Sequence, residues 1–153
     1  MTATAPGSVV VGVSPRTGSP AALSWASTYA ALRKTTVTAV LAWRPARPPA
    51  APGGRPPGSL LSGDLPDPER EAEARLASFV AAALGPDHGV QCRVLRRNEV
   101  SALLECGAGA ELIVLGEPSP GRLASVRAGL VAPQVIRRAR CPVVVMPGTL
   151  AAN

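Results

Sequence analysis

The sequence is poor in aromatic residues, and it contains one lysine and one histidine among 153 residues. Four aromatic side chains are too few for a base-stacking surface, so we expect no specific nucleic-acid binding in spite of a net charge of +6. No apolar run approaches the roughly 20 residues of a membrane-spanning helix, so we expect no membrane association. Residues 1–8 carry no basic side chain and do not resemble a secretory signal. These features predict a cytoplasmic protein.

The residues of common catalytic and metal sites are also scarce. The three cysteines, Cys92, Cys106 and Cys141, form no CxxC pair, which argues against a disulfide framework or a zinc site and favours buried, inert thiols. His88 lies in a glycine- and proline-flanked turn, and Lys34 has no glycine-rich phosphate loop before it. A GxSxG nucleophile motif is absent. We therefore predict no catalytic residue and no metal ligand.

What the chain does contain is a regular alternation of apolar and amphipathic segments. Five apolar segments predict strands. The segments between them contain helix-start signals or helical periodicity, which predict helices. This alternation predicts one domain over residues 1–153, with a three-layer α/β/α architecture and a doubly wound, five-stranded parallel sheet. The predicted strands are 9–13, 37–43, 90–95, 111–116 and 143–146. The predicted helix starts are Ser19-Pro20, Asp67-Pro68, Asn98 and the region of Val131.

Two further expectations concern the first helix and the segment after the second strand. A buried stripe is predicted on the first helix, formed by Ala22, Trp25, Ala26, Tyr29 and Leu32. Residues 44–68 hold eight of the 17 prolines, which predicts a mobile proline-rich loop over 44–66. A proline-rich ligand for a partner domain is the alternative interpretation of this loop.

In a doubly wound sheet, ligands bind beyond the carboxyl ends of the strands, where the strand order reverses. The loops 14–18, 42–44 and 116–129 are predicted to lie at that edge.

Three segments together resemble the universal stress protein family. They are Val9-Val10-Val11-Gly12-Val13 with the helix start that follows, the segment 111–116, and the Cys141-Pro142-Val143-Val144-Val145 ending. The resemblance covers nearly the whole chain and implies the adenine-nucleotide alpha-hydrolase-like topology, with strand order 3-2-1-4-5. It also implies a homodimer through the last strand, formed here by Val143, Val144, Val145 and Met146.

Many members of that family bind ATP through a Gly-x2-Gly-x9-Gly-Ser/Thr loop and an aspartate after the first strand. Here Gly116 and Gly129 match the outer glycines, whereas Ser119 replaces the middle glycine. Leu130 replaces the hydroxyl residue, and Ser14 replaces the aspartate. A Cβ at the middle position hinders close backbone approach to phosphate, and a leucine cannot donate to it.

The candidate nucleotide-binding set therefore combines matched and altered positions with nearby arginines that could hold an anion. Its members are Val13, Ser14, Arg16, Ala42, Gly116, Ser119, Arg122, Arg127, Gly129, Leu130 and Val131.

The resemblance implies a non-catalytic binding or regulatory domain of the stress response, dimeric and with an unknown protein partner. The altered loop predicts that ATP binding is weak or lost. One alternative is that ATP or another adenine nucleotide, with Mg, binds through the altered loop and the arginines. A remote alternative is an adenylating or nucleotide-hydrolysing enzyme, but Ser14–Ser19 lacks the glycine pair and lysine of such a loop.

Overall fold

The computed structural model describes residues 7–45, 67–116 and 131–147. Within these ranges the chain alternates strands and helices, as the sequence predicts. The elements are β1 (Val9–Gly12), α1 (Pro20–Arg33), β2 (Val37–Ala42), α2 (Pro68–Leu84), β3 (Gln91–Leu95), α3 (Glu99–Gly107), β4 (Leu112–Gly116), α4 (Val131–Arg138) and β5 (Val143–Met146).

The five strands form one parallel sheet in the order β3-β2-β1-β4-β5, which confirms the predicted fold class and strand order. β1 is central, and its Gly12 lies opposite Val40 of β2 on one side and Leu115 of β4 on the other. The strand order reverses between β1 and β4, so the carboxyl ends of these two strands mark the position where such sheets bind ligands.

The side chains of β1 alternate between two hydrophobic layers, and Val9, Val10 and Val11 are all fully buried. Val9 and Val11 pack in the layer that contains residues of α1 and α2. Val10 packs in the other layer, which contains residues of α3 and α4. A strand covered on both faces explains why β1 is a continuous β-branched run.

Two of the predicted helix caps form as expected. The Asp67 carboxylate accepts the Glu69 N–H at 3.0 Å, and the Asn98 side-chain oxygen accepts the Ser101 N–H at 2.7 Å. The cap predicted for Ser19 is wrong, because its side chain makes no capping hydrogen bond to α1. Ser19 adopts a left-handed conformation with φ 48°, and its hydroxyl is used elsewhere.

The predicted burial is wrong at two positions. Leu32 is 80% exposed, because it lies about 200° around α1 from the buried Ala30 and so faces away from the sheet. Cys92 is exposed on the edge strand β3, whereas Cys106 is buried and Cys141 is half-buried.

At the amino end of β4, a polar cluster joins the sheet to α1. The Glu111 carboxylate accepts a hydrogen bond from the Tyr29 hydroxyl at 2.8 Å and another from Arg33 Nε at 2.8 Å. Trp25 stacks on Tyr29 with ring centroids 5.2 Å apart. Donation by Tyr29, followed by the contribution of Arg33, lowers the pKa of Glu111 despite its partial desolvation.

Candidate functional site

Side chains pack tightly around the glycines at the carboxyl ends of β1 and β4. A Cβ at Gly12 would lie 2.8 Å from Leu115 Cδ2 and 2.9 Å from Leu103 Cδ2. A Cβ at Gly116 would lie 3.2 Å from Ser19 Oγ. Leu103 of α3 therefore packs over the end of β1, and Ser19 occupies the space beside the end of β4.

Some of the predicted site residues lie together at this edge. The N–H of Val13 donates to Val40 O at 2.9 Å, which carries the alignment of β1 and β2 one residue past Gly12, and Ala42 ends β2 at the same edge of the sheet. Gly116 ends β4, Val131 begins α4, and Arg16 is exposed in the loop after Ser14. Five predicted residues lie outside the described ranges: Ser119, Arg122, Arg127, Gly129 and Leu130.

Hydrogen bonds among its own residues hold the loop 14–19 together. The Ser14 N–H donates to Ser19 Oγ at 3.1 Å, and the Gly18 N–H donates to Ser14 O at 2.9 Å. The Ser19 N–H donates to Thr17 Oγ1 at 3.2 Å, and the Arg16 N–H donates to Ser14 Oγ at 3.3 Å. Four backbone donors of the loop that follows β1 are thus engaged within the loop.

Gly18 explains how this loop lies so close to α2. Its φ is 74°, which favours glycine, and a Cβ there would lie 2.4 Å from Phe79 Cδ1. The loop backbone therefore rests directly on the Phe79 ring. A side chain at position 18 would displace either the loop or the ring.

Two arginines that sequence reasoning did not assign to the site follow β3. Arg96 places its Cζ 5.8 Å from the ring centroid of Trp43, the residue after β2. Arg97 forms an ion pair with Glu105, with Nε 2.8 Å from the carboxylate. The signal in the sequence that could have assigned them to the site was their position directly after a predicted strand. Both guanidinium groups already have partners within the protein.

A third residue missed from the sequence is Glu99, the first residue of α3. Its side chain is half-buried, and desolvation by this burial raises the pKa of its carboxyl. It makes no hydrogen bond or ion pair with any residue of the described ranges. The acidic side chain after the Asn98 cap was the available signal, but an acid in a first helical turn is ordinary in itself.

Within the described parts of the chain, no three His, Cys, Asp or Glu side chains come close enough to hold a metal ion. In those same parts, no helix is long and apolar enough to cross a membrane.

Comparison with known proteins identifies the family. The sequence model described as the universal stress protein family matches residues 7–147. The chain belongs to the universal stress protein family. A universal stress protein of Mycobacterium tuberculosis is 31% identical over 147 residues, which cover 90% of this chain and 47% of the relative. This universal stress protein therefore spans about half the length of the curated relatives that it matches.

Solved structures of low sequence identity share the fold. A universal stress protein in complex with cAMP superposes with a TM-score of 0.61 at 22% identity, covering 95% of this chain and 100% of the other. UspA from Lactobacillus plantarum gives a TM-score of 0.59 at 18% identity, covering 95% and 99%. The Archaeoglobus fulgidus universal stress protein in complex with dAMP gives 0.54 at 20% identity, covering 91% and 96%.

Proposed function

We propose that this universal stress protein is a cytoplasmic, non-catalytic regulatory domain in which adenine-nucleotide binding is weak or lost. The observation that carries the proposal is the loop 14–19 at the carboxyl end of β1, where four backbone N–H groups already donate hydrogen bonds within the loop. Ser14 offers no carboxylate there, and its N–H is engaged by Ser19 Oγ at 3.1 Å.

The energetic consequence follows from the contacts that such a site would lack. A hydrogen bond to a charged group contributes about 1.5–3 kcal/mol. A site of micromolar affinity corresponds to about −8 kcal/mol, so the loss of two or three such bonds brings affinity toward the millimolar range. Ser119 and Leu130, which replace residues of the family's phosphate loop, should weaken nucleotide binding further.

The second candidate is a nucleotide-binding universal stress protein that uses the altered loop together with its arginines and Mg. It is supported by the structural neighbours that were solved in complex with cAMP and dAMP. Arg16 is exposed beside the crevice and could contact a phosphate in such a complex. An enzyme that adenylates or hydrolyses nucleotides stays a remote third alternative.

We also propose that the protein forms a homodimer through β5 and acts on an unidentified protein partner. β5 is an edge strand, and its Val145 is 38% exposed. Ile136 on the neighbouring helix α4 is 55% exposed. An apolar edge of this kind promotes pairing with another strand unless it is covered.

The experiment that tests the nucleotide proposal is a thermal-unfolding titration with Mg-ATP, AMP and cyclic AMP up to about 5 mM. A ligand that binds only the folded state stabilises it by RT ln(1 + [L]/Kd). We expect no saturable shift below about 1 mM. A saturable shift below that concentration would overturn the proposal in favour of the second candidate.

A pair of variants separates the effect of the missing carboxylate at Ser14 from the effects of the altered residues in the glycine loop. Ser14→Asp restores an acidic side chain after β1, and Ser24→Asp places the same charge on an exposed position of α1. A nucleotide-dependent shift gained by Ser14→Asp but not by Ser24→Asp identifies the missing carboxylate as a cause of weak binding.

A further inference from the structure

We propose that Glu99 is a specificity-determining residue of the crevice, and that its carboxylate selects against ligands that carry a phosphate. The inference rests on the proposed function, because it takes the carboxyl end of β1 as the ligand site. It adds a cause of weak nucleotide binding that lies outside the altered loops.

The placement of Glu99 follows from the packing of α3. Leu103 lies against the end of β1, with its Cδ2 2.9 Å from where a Cβ of Gly12 would be. Glu99 precedes Leu103 by four residues, so the two share one face of α3. Four residues of helix rise correspond to about 6 Å, which takes Glu99 one turn beyond Leu103.

The topology of the sheet decides at which edge of the sheet the first turn of α3 lies. α3 connects two parallel strands, so it runs back from the carboxyl edge of the sheet toward the amino edge. Its first residue therefore lies at the carboxyl edge, where β1 continues into Val13 and Ser14.

The charge of Glu99 is not offset by the neighbouring arginines. Arg96 lies over the Trp43 ring at 5.8 Å, and Arg97 is paired with Glu105 at 2.8 Å. Among the described residues, Glu99 has no hydrogen-bonding or ionic partner. Partial burial reduces the screening of the carboxylate by water, and the same desolvation raises the pKa of Glu99, which makes its ionised form less favourable.

A half-buried negative charge at this edge repels a phosphate dianion and leaves a neutral ligand unaffected. At an effective dielectric constant of about 20, two unit charges several ångströms apart interact strongly enough to change affinity about tenfold or more. The effect should therefore appear with AMP and ATP and be absent with adenosine, which carries the same base and sugar without phosphate.

The test compares three proteins: the natural sequence, Glu99→Gln and Glu69→Gln. Glu69 is the matched control, because it also lies in the first turn of a helix, α2, but is exposed, so that water screens its charge. Both substitutions remove the favourable interaction of an acid with a helix amino terminus. Each protein is titrated with adenosine, AMP and Mg-ATP, and apparent Kd values are taken from the concentration dependence of the melting shift.

We expect Glu99→Gln to bind AMP and Mg-ATP about tenfold more tightly than the natural protein, with adenosine unchanged and Glu69→Gln like the natural protein. Equal gains for adenosine and AMP would overturn the inference, because charge would not be the cause. Absence of any AMP-dependent shift in Glu99→Gln at 5 mM would also overturn it, while leaving the proposed function intact. If AMP or Mg-ATP saturates the natural protein below about 1 mM, the proposed weak site is refuted. The ratio of the apparent Kd values of the natural protein and Glu99→Gln still tests the role of Glu99 in that case.

Discussion

Thr38 lies fully buried in the middle of the sheet, and replacing it by valine should make the protein more stable. It pairs with Val10 of β1 and Gln91 of β3. Its side-chain oxygen has no hydrogen-bond partner among the described residues. Valine keeps the β-branched shape and places a methyl group where the hydroxyl was, so the strand conformation is preserved.

The magnitude follows from the cost of burying the hydroxyl. An unpaired hydroxyl in a protein interior costs about 1–3 kcal/mol, and the added methyl group gains a little more from burial. We expect Thr38→Val to raise the free energy of unfolding by about 1–2 kcal/mol. For a domain of this size, each kcal/mol corresponds to about 2–4 °C, so the Tm should rise by about 2–8 °C.

Urea unfolding and thermal unfolding followed by circular dichroism measure both quantities. Thr36→Val is the matched control, because Thr36 precedes the same strand but is exposed, and its stability should change by less than about 0.5 kcal/mol. A loss of stability in Thr38→Val with no change in Thr36→Val would refute the reasoning. It would mean that the buried hydroxyl has a hydrogen-bond partner, such as an internal water.

Two further predictions concern the amino edge of the sheet and the exposed strand. The hydrogen bond that Glu111 accepts from Tyr29, and to a smaller extent the one from Arg33, lowers the pKa of its carboxyl. The ionised carboxylate therefore stabilises the folded state at neutral pH. Glu111→Gln should lower the Tm at pH 7, and the difference should shrink as the pH falls below about 4.3; a difference independent of pH would contradict this. Val145→Lys should convert the proposed dimer into a monomer by light scattering, whereas Thr28→Lys on exposed α1 should not. A monomeric natural protein at micromolar concentration would contradict the proposed interface.

Much of the fold could be predicted because local signals and burial agree. The run Val9-Val10-Val11 predicts a strand buried on both faces, and all three residues are fully buried. Asp67 and Asn98 precede helices and cap them as expected. The strand order followed from the family resemblance, and the structure confirms it.

The candidate site was harder to predict, because it depends on contacts between distant segments. Ser19 has the residue type of a helix cap, but its hydroxyl turns toward Ser14, and this choice depends on loop closure. Glu99 has the sequence of an ordinary helix start, and its significance comes from the position of Leu103 over β1. Leu32 was included in the predicted buried stripe of α1, but it faces solvent. The sheet covers a narrower part of the helix circumference than the predicted stripe does.

The two tryptophans occupy different environments, which has a spectroscopic consequence. Trp25 stacks on Tyr29 in α1, where the hydroxyl of Tyr29 is held by Glu111. Trp43 lies at the carboxyl end of β2 with the Arg96 guanidinium over its ring. Emission from Trp43 should therefore report events at the ligand edge, and emission from Trp25 should report the attachment of α1. Two variants with a single tryptophan each would separate local rearrangement of the crevice from unfolding of the whole domain.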